Sequence, residues 1–260
     1  MEINKIYNED CLVGMSKIPD KSVDCIICDL PYNLFGKYKG AAWDQLIPMD
    51  KLWEQYKRIR KDDCPILLFG AEPFSSHLRL SNESEFKYDY VWKKMKPTGY
   101  SFCKFQPLRQ HEMISVFYKK SKILNQQNLV KLEKPVKSGR KDKSLVGGLK
   151  ASTGATGMKD ENRLSYFTGY QRSILDIDNW GERCTKREFS HPTQKPVDLI
   201  RYLIRTYTNP GDLVLDNCMG SGSTAIAALR EGRNFIGFEL DENFYKMCIE
   251  RIAAEEKKKE

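Results

Sequence analysis

Two glycines and two acids in the last third of the chain have the spacing of a loop that holds a nucleoside. The loop runs from Asp216 through Gly220 and Gly222 to Thr224, and Glu239 ends the next apolar run. Glycines let the backbone approach a ligand closely, and the start of the helix that follows favours a negative group. A carboxylate at the end of a strand, such as Glu239, is well placed to accept hydrogen bonds from a ribose. The pattern indicates a nucleoside cofactor without saying which one, because it also satisfies the relaxed dinucleotide fingerprint. A tight strand–helix turn with no ligand is the structural alternative.

A second string, Asp29-Leu30-Pro31-Tyr32, directly follows a continuous apolar run that is typical of a buried strand. The carboxyl ends of strands are where ligands bind in open α/β sheets. Asp29 places an acceptor there, Pro31 stiffens the turn, and Tyr32 supplies a flat face for stacking. An acceptor beside an aromatic ring suits a planar base that carries an amino group. Taken alone, such a string is also common in ordinary loops.

The third string is His191-Pro192-Thr193-Gln194-Lys195-Pro196, which precedes a predicted helix. Donors at the start of a helix, here Thr193 and Lys195, can hold a carboxylate. The alternative is an ordinary turn that leads into the helix. None of the three histidines has Cys or His neighbours at ligand spacing, so we expect no metal site.

In this order, the three strings resemble the amino-methylating DNA methyltransferases of the permuted, or beta, class, in which the catalytic motif precedes the cofactor motif. The resemblance is strongest over residues 3–33 and 186–252, and weaker at 91–94 and 109–112. A hydride-transfer enzyme of the dinucleotide type usually places its glycine loop first and needs neither of the other strings. We therefore prefer the methyltransferase interpretation.

The resemblance implies S-adenosylmethionine as cofactor and a base flipped out of double-stranded DNA as methyl acceptor. Asp29 and the Leu30 carbonyl would accept the two amino protons, with Pro31 shaping the motif and Tyr32 stacking on the base. The implied cofactor residues are Asp10 near the adenine, Thr193 and Lys195 at the methionine end, Asp216, Gly220, Gly222 and Thr224 in the loop, and Glu239 on the ribose. The resemblance also implies a cytoplasmic protein, encoded by a bacterium or phage, that could form a homodimer.

The expected product is N6-methyladenine, because Asp at the first position of the catalytic motif resembles the adenine-directed members. An N4-cytosine enzyme, in which Ser is more usual there, and an inactive DNA-binding relative are the alternatives. The sequence departs from the family pattern at Leu30, where proline is usual, and at Asn217 and Cys218, where Pro-Phe is usual. The Leu30 carbonyl survives any change of side chain, so its expected role is kept.

Composition is consistent with an enzyme of a reducing compartment. The chain has 260 residues, 40% of them hydrophobic and 30% charged, which describes a globular protein long enough to need no disulfide or metal. No apolar run approaches the ~18 residues of a membrane span, and the first residues lack a signal-peptide core, so we expect neither a membrane nor a secreted protein. The eight scattered cysteines are expected to be core thiols. Cys25 and Cys28 should point to opposite faces of a strand and so bind no common metal.

The elements that must position these residues alternate between strand and helix, which implies an open, doubly wound α/β sheet. Together with the resemblance, this predicts a mostly parallel, Rossmann-like methyltransferase sheet that carries a basic insertion for DNA recognition. Predicted helices include 11–18, one capped by Asp50, 221–230 and one capped by Asp241; Pro196 is the predicted first residue of another. The predicted divisions are a catalytic half over 1–118, a basic insertion over 119–190, and a cofactor-binding half over 191–260.

Positive charge is concentrated between residues 119 and 163. This segment holds 12 Lys or Arg and four acids, an excess equal to the +8 net charge of the whole chain. Such a local excess suggests a polyanionic partner, here DNA, although a solvated loop is the alternative. Residues 138–160, rich in Gly, Ser, Thr and Lys, are expected to be mobile without DNA.

Neutralising Lys137, Arg140, Lys141 and Lys143 together should weaken DNA binding and flatten its salt dependence. Each phosphate contact contributes about −0.9 to the slope of log affinity against log salt concentration. Loss of several contacts should therefore make this slope less negative by several units. Titrations of labelled duplex at a series of salt concentrations measure both quantities, with cofactor binding as the control. An unchanged slope would mean that DNA is gripped elsewhere.

Overall fold

The computed structural model describes residues 1–33, 44–120, 124–137, 164–178 and 194–258. Contacts divide the chain into two compact units, one of residues 1–125 and 173–260, the other of residues 126–172. The predicted division at 118 and 190 remains a prediction.

The first unit is built on an eight-stranded sheet, and the other unit contains a separate two-stranded one. Within the described ranges, the strands in chain order are β1 Lys5–Tyr7, β2 Cys25–Cys28, β3 Ile66–Gly70, β4 Phe86–Thr98, β5 Arg109–Phe117, β6 Val130–Lys137, β7 Leu164–Thr168, β8 Ile174–Asp176, β9 Leu213–Asp216 and β10 Asn234–Phe238. The helices are α1 Cys11–Ser16, α2 Met49–Ile59, α3 Phe74–Ser81, α4 Val197–Tyr207, α5 Ser223–Arg230 and α6 Glu242–Glu256.

The large sheet has the strand order β1-β10-β9-β2-β3-β5-β4-β8. The five strands from β1 to β3 are parallel, and β5 then joins β3 in the antiparallel direction. From β2 the chain continues to β3 on one side, whereas from β9 it continues to β10 on the other. Connections leave β2 and β9 in opposite directions, so a crevice opens between their carboxyl ends, where ligands bind in sheets of this kind. The predicted α/β class and mostly parallel, Rossmann-like sheet are confirmed.

Helices cover both faces of the sheet, and the central strands contribute alternate side chains to two cores. Cys25 and Ile27 of β2 belong to the core that contains α4, α5 and α6. Ile26 and Cys28 belong to the opposite core, with α1, α2 and α3. The expectation that Cys25 and Cys28 face opposite ways is therefore confirmed, and burial on both faces explains why the strand sequences are continuously apolar.

Several local predictions need correction. Helix α1 ends at Ser16, two residues before the predicted end, and α2 begins at Met49 with Pro48 as its N-cap, so Asp50 lies in the first turn instead of capping it. Pro196 is the N-cap of α4 and not its first helical residue. Asp241 caps α6 as predicted, accepting from the backbone N–H groups of Asn243 and Phe244.

The expectation of core thiols is only partly correct. Five cysteines are buried: Cys11, Cys25, Cys28, Cys64 and Cys248. Cys218 is partly exposed, Cys103 is exposed, and Cys184 lies outside the described residues. Cys103 follows a short 3₁₀ turn, Tyr100–Phe102, in the loop between β4 and β5, where it can reach no core.

The unit of residues 126–172 contains the antiparallel pair β6 and β7, which the sequence analysis did not predict. Val130 pairs with Thr168 and Lys137 with Leu164, with an irregular register between these ends. The apolar side chains of Val130, Val136 and Tyr166 are exposed, which explains why the strand pattern was hard to recognise.

Helix α1 packs closely on β10. A Cβ atom added to Gly14 would lie 2.1 Å from Cε1 of Phe238, a ring that is fully buried. Asp10 precedes α1 and Glu239 follows β10. The close approach of α1 and β10 therefore helps to fix the positions of these two predicted site residues.

Gly14→Ala should therefore destabilise the protein, although alanine is the better helix former by about 1 kcal/mol. The added methyl has to displace a buried ring, which costs about 1–3 kcal/mol and outweighs the gain in helix propensity. Urea unfolding measures the difference, and Val13→Ala, at an exposed position of the same helix, is the control, expected to stay within about 0.5 kcal/mol. A Gly14→Ala protein more stable than the parent would contradict the packing described.

Candidate active site

Four acids predicted as site residues meet at the carboxyl edge of the parallel strands. Asp29 follows β2, Asp216 ends β9, Glu239 follows β10, and Asp10 lies between β1 and α1. All four line one cavity of about 800 Å³ in the first unit. Parallel strands bring their carboxyl ends to the same edge of the sheet. Acids placed at or just after those ends therefore meet there.

The cavity is strongly acidic. Of the residues that the structure describes, three cationic side chains line it, Lys94, Arg109 and Lys195. The carboxylates that line it are Glu9, Asp10, Asp29, Asp44, Glu112, Asp216, Glu239 and Asp241. This excess of acids favours a ligand that carries positive charge and disfavours a pyrophosphate.

Glu239 holds the glycine loop through both of its carboxylate oxygens. Its Oε2 accepts a hydrogen bond from the Gly220 N–H at 2.7 Å, and its Oε1 accepts one from the Asp241 N–H at 2.8 Å. Burial raises the pKa of Glu239 to about 7 against the lowering effect of these bonds. Each carboxylate oxygen can accept a further bond, so both remain capable of receiving a ligand hydroxyl.

Asp216 is fixed within the same loop. Its Oδ2 accepts from the Thr224 hydroxyl at 2.6 Å, and its Oδ1 accepts from the Cys218 N–H at 3.1 Å. Burial raises its pKa to about 6. Thr224 lines the cavity, but its hydroxyl donates to Asp216. In this structure the Thr224 side chain therefore orients that carboxylate.

The two glycines have different roles. Gly220 and Gly222 have φ angles of +54° and +81°, which shape the turn and delay the start of α5 to Ser223, two residues after the predicted start. Gly220 lines the cavity, whereas Gly222 is not among the lining residues. A Cβ at Gly222 would meet Sγ of Cys248 in α6 at 3.4 Å, so glycine there serves the turn and the packing of α6. The expectation that Gly222 is part of the cofactor loop stays a prediction.

Asp10 is the N-cap of α1. Its Oδ1 accepts from the backbone N–H groups of Leu12 at 2.8 Å and Val13 at 3.2 Å. The side chain is exposed at the rim of the cavity, so a helix-capping role and the predicted ligand role are compatible.

The catalytic string forms a compact group. Leu30 and Pro31 line the cavity, and the Tyr32 hydroxyl donates to Oδ1 of Asp29 at 2.5 Å. The Tyr32 ring stacks on Phe74 with centroids 4.8 Å apart and planes at 25°. One face of the Tyr32 ring is therefore covered by Phe74.

Lys195 is paired with carboxylates. Its Nζ donates to Oδ2 of Asp29 and lies 3.4 Å from Oε2 of Glu112, and its ammonium lies 5.3 Å from the centroid of Phe69. Glu112 in turn accepts from Nζ of Lys94 at 2.9 Å through Oε1. Two cations and two carboxylates thus alternate in a largely buried row, with side chains 7–24% exposed. We call this row the charged quartet: Asp29, Lys195, Glu112 and Lys94.

Opposing effects set the ionisation of the charged quartet. Burial would lower the pKa of Lys195, but Asp29 and Glu112 raise it above its ordinary value, so Lys195 stays charged. Burial raises the pKa of Asp29, although Lys195 opposes this. Burial also acts to raise the pKa of Glu112, yet Lys195 and Lys94 bring it below the ordinary value. Asp29 is therefore the carboxylate of the quartet that takes up a proton most readily.

Glu112 and Lys94 fall within the weaker stretches of the family resemblance, 91–94 and 109–112, but neither was predicted as a site residue. They lie on β5 and β4, where Trp92 pairs with Glu112 in the antiparallel register. An acid immediately before a run of buried strand residues was the available signal.

Three thiols form part of the cavity lining. Cys11, Cys28 and Cys218 come from α1, β2 and the glycine loop. The Asn217 amide donates to Sγ of Cys11 at 3.6 Å and to Sγ of Cys218 at 3.5 Å, and it accepts from the buried Tyr56 hydroxyl. The departure from the usual Pro-Phe at 217 and 218 is therefore accommodated by a hydrogen-bonded polar group.

The remaining predicted residues lie outside what the structure describes. Thr193, Arg140, Lys141 and Lys143 are not among the described residues, and of Lys137 only the backbone, at the end of β6, is described. Over the described ranges, no group of three or more His, Cys, Asp or Glu side chains is arranged to hold a metal ion. Within those ranges, no helix is long and apolar enough to cross a membrane.

Comparisons with known proteins agree over most of the chain. A family model described as DNA methylase, for the N6/N4 type, matches residues 23–250. The type II methyltransferase M1.MboII of Moraxella bovis is 30% identical, and the match covers 94% of each chain. The DNA adenine methyltransferase YhdJ of Escherichia coli is 28% identical over 96% of this chain and 83% of its own length.

Solved structures show the same fold. The PvuII DNA methyltransferase, described as cytosine-N4-specific, superposes with a TM-score of 0.66 at 17% identity, over 98% of this chain and 91% of its own. The M1.HpyAVI–SAM complex gives 0.61 at 21% identity, over 95% of this chain and 98% of its own.

Lys195→Met should destabilise the protein in a pH-dependent way. The variant keeps an apolar side chain of similar length but leaves Asp29 and Glu112 buried with one cation, at a cost of about 3 kcal/mol or more at pH 8. The pKa of Asp29 then rises further above its unfolded value, so the folded state binds the additional proton and the loss shrinks as the pH falls toward 5.

Urea unfolding of parent and variant at pH 8 and pH 5.5 measures this difference. The control is Lys5→Met, which removes an exposed pair with Glu2 and should leave stability essentially unchanged at either pH, because solvent screens such a pair. An equal loss at both pH values for Lys195→Met would contradict the coupling between Lys195 and the buried carboxylates.

Proposed function

Because this chain belongs to the N6/N4 family of DNA methylases and is therefore a DNA methyltransferase, we propose that it transfers a methyl group from S-adenosylmethionine to the N6 amine of adenine in DNA. The observation that carries this proposal is the meeting of Asp29 and Tyr32 with the Asp216 loop and Glu239 around one acidic cavity. The permuted arrangement is part of the proposal, since the residue proposed to hold the amine precedes the cofactor loop by most of the chain.

The cavity suits S-adenosylmethionine better than a dinucleotide. The cofactor carries a positive sulfonium and an ammonium, which an excess of carboxylates favours, whereas the same charges oppose a pyrophosphate. Glu239, with both oxygens still able to accept, would hold the ribose hydroxyls. Asp10 and Asp216 would lie at the adenine and along the loop.

Thr193 and Lys195 are the residues that the resemblance places at the methionine end of the cofactor. Thr193 is outside the described residues, and Lys195 donates to Asp29, not toward an open part of the cavity. We propose that Lys195 acts chiefly on Asp29, and that any contact it makes with the cofactor carboxylate is additional.

Asp29 is proposed to accept a hydrogen bond from the target amine, while the Leu30 carbonyl accepts the second. An exocyclic amine shares its lone pair with the ring, so two acceptors on its protons favour a pyramidal nitrogen that can attack. When bound, the cofactor supplies an electrophilic methyl group that passes to this nitrogen by direct in-line transfer, for which correct orientation provides much of the rate.

After methyl transfer the amine nitrogen must lose a proton, and a side chain of the protein has to accept it. Asp29 lies ready to receive it, because burial raises the pKa of this carboxyl above the ordinary value. Before the transfer, the ammonium of Lys195 favours the ionised form of Asp29. The Tyr32 hydroxyl donates to Oδ1 of Asp29 and fixes the orientation of the carboxylate. The face of the Tyr32 ring opposite Phe74 is proposed to stack on the target base.

Adenine is the proposed target because Asp29 occupies the position where adenine-directed members carry aspartate. The relative in Escherichia coli, which matches nearly the full chain, is named as a DNA adenine methyltransferase and supports this choice. N4-cytosine remains the alternative, since the PvuII enzyme shares the fold. The intact group of Asp29, Tyr32 and Lys195 argues against an inactive DNA-binding relative.

Double-stranded DNA is the proposed partner, with base flipping to bring the amine into the cavity. The basic segment 119–163 remains our proposal for the DNA grip, as do a cytoplasmic location and a homodimer.

Asp29→Ala should abolish methyl transfer and leave cofactor and DNA binding largely intact. Its role is expressed at the reacting amine, so kcat should fall by about a hundredfold or more while affinity changes little. A transfer assay with labelled S-adenosylmethionine on mixed-sequence DNA, followed by nucleoside mass spectrometry, measures both rate and product.

The matched control is Asp20→Ala, an acid at an exposed ion pair with Arg58, which should keep normal turnover. Near-normal turnover by Asp29→Ala would mean that another group holds the amine. Methylated cytosine without methylated adenine would overturn the adenine assignment alone.

A further inference from the structure

The loop between β4 and β5, residues 99–108, exposes three aromatic rings. Tyr100, Phe102 and Phe105 are 65%, 59% and 86% exposed. Exposed aromatic clusters of this kind are uncommon on the surface of a soluble protein unless they contact something. We call this segment the aromatic loop.

The aromatic loop rises from the rim of the active-site cavity. Thr98 and Arg109 pair at its base, with the Thr98 hydroxyl donating to the Arg109 carbonyl at 3.3 Å, and both residues line the cavity. Further along the same two strands, Lys94 and Glu112 belong to the charged quartet that ends at Asp29. The loop therefore stands beside the part of the cavity proposed to receive the target base.

The charge of the loop favours a polyanion. Between residues 95 and 111 the sequence contains three Lys or Arg and no acid. Lys104 lies among the aromatic residues, and Lys96 and Arg109 flank them. Two copies of such a positively charged segment would repel each other. The phosphates on both sides of a base step in DNA would instead attract the segment.

We propose that the aromatic loop enters the DNA duplex at the target site and stacks on the partner base that is left behind when the target base moves into the cavity. The proposal rests on the proposed function, and it adds a surface that acts on the strand opposite the one methylated. Removing a base from the stack costs a few kcal/mol, and an apolar ring inserted into the gap restores part of the lost stacking. Phe105, the most exposed of the three rings, would lead the insertion.

The test compares two duplexes that differ only opposite the target base. The methylated site is first mapped by sequencing DNA treated with the wild-type protein. One synthetic duplex is then fully paired at that site, and the other has an abasic position opposite the target, so that no partner base remains to be stacked on. The variants are Phe105→Ala and the triple change Tyr100→Ala, Phe102→Ala, Phe105→Ala, and the control is Leu80→Ala, at a 71% exposed position on α3.

For the triple variant we expect kcat/KM on the paired duplex to fall by about tenfold or more, within the range measured for loss of a base–aromatic stack. On the abasic duplex the fall should be no more than about twofold, because the target base is already unpaired there. A fluorescent analogue of the target base should brighten when the wild-type protein binds the paired duplex and brighten less with the triple variant. Leu80→Ala should behave as wild type on both duplexes.

Equal losses on the two duplexes would overturn the proposal, because they would mean that the rings serve general binding or folding. Unchanged kcat/KM on the paired duplex would overturn it as well. So would conversion of a wild-type dimer to a monomer by the triple change, seen by sedimentation, since the rings would then be a contact between two copies. Absence of methyl transfer by the wild-type protein would instead refute the proposed function.

Discussion

The ammonium of Lys195, held between the carboxylates of Asp29 and Glu112, joins parts of the chain that are far apart in sequence. Asp29 follows β2, Glu112 lies on β5, and Lys195 lies two residues before α4. Each charge would be costly in this buried position without the others, since removal of one partner leaves an uncompensated ion. The quartet with Lys94 carries no formal net charge, so the protein can bury a reactive carboxylate beside a cavity and still keep it ionised.

The order of the strands imposes the second constraint. Connections leave β2 and β9 in opposite directions, and the crevice between them receives Asp29 from one strand and Asp216 from the other. The proposed amine acceptor and cofactor loop therefore come from opposite halves of the chain but face one cavity. This arrangement explains how two sequence strings separated by nearly 190 residues can act on one methyl group.

The sequence could predict which residues come together but not how they contact one another. Acids that follow parallel strands share an edge, so the meeting of Asp29, Asp216 and Glu239 follows from the strand pattern. Glu112 could not be assigned in this way, because its position depends on the antiparallel register of β4 and β5, which local periodicity does not encode. The role of Gly222 likewise depends on α6, a tertiary neighbour, while the exposed β6 and β7 pair lacks the buried face that makes a strand recognisable.

The thiols in the cavity lining allow ligand binding to be measured without any catalytic turnover. A hydrogen bond from Cys218 lowers the pKa of Cys11, while burial raises the pKa of Cys28 to about 12. The thiolate is the species that alkylating reagents attack, so Cys11 should react faster than Cys28. A ligand that fills the cavity would shield this sulfur. Occupancy of the pocket can then be followed by the rate at which one cysteine is alkylated and read by peptide mass, with neither DNA nor a methyl donor in the sample.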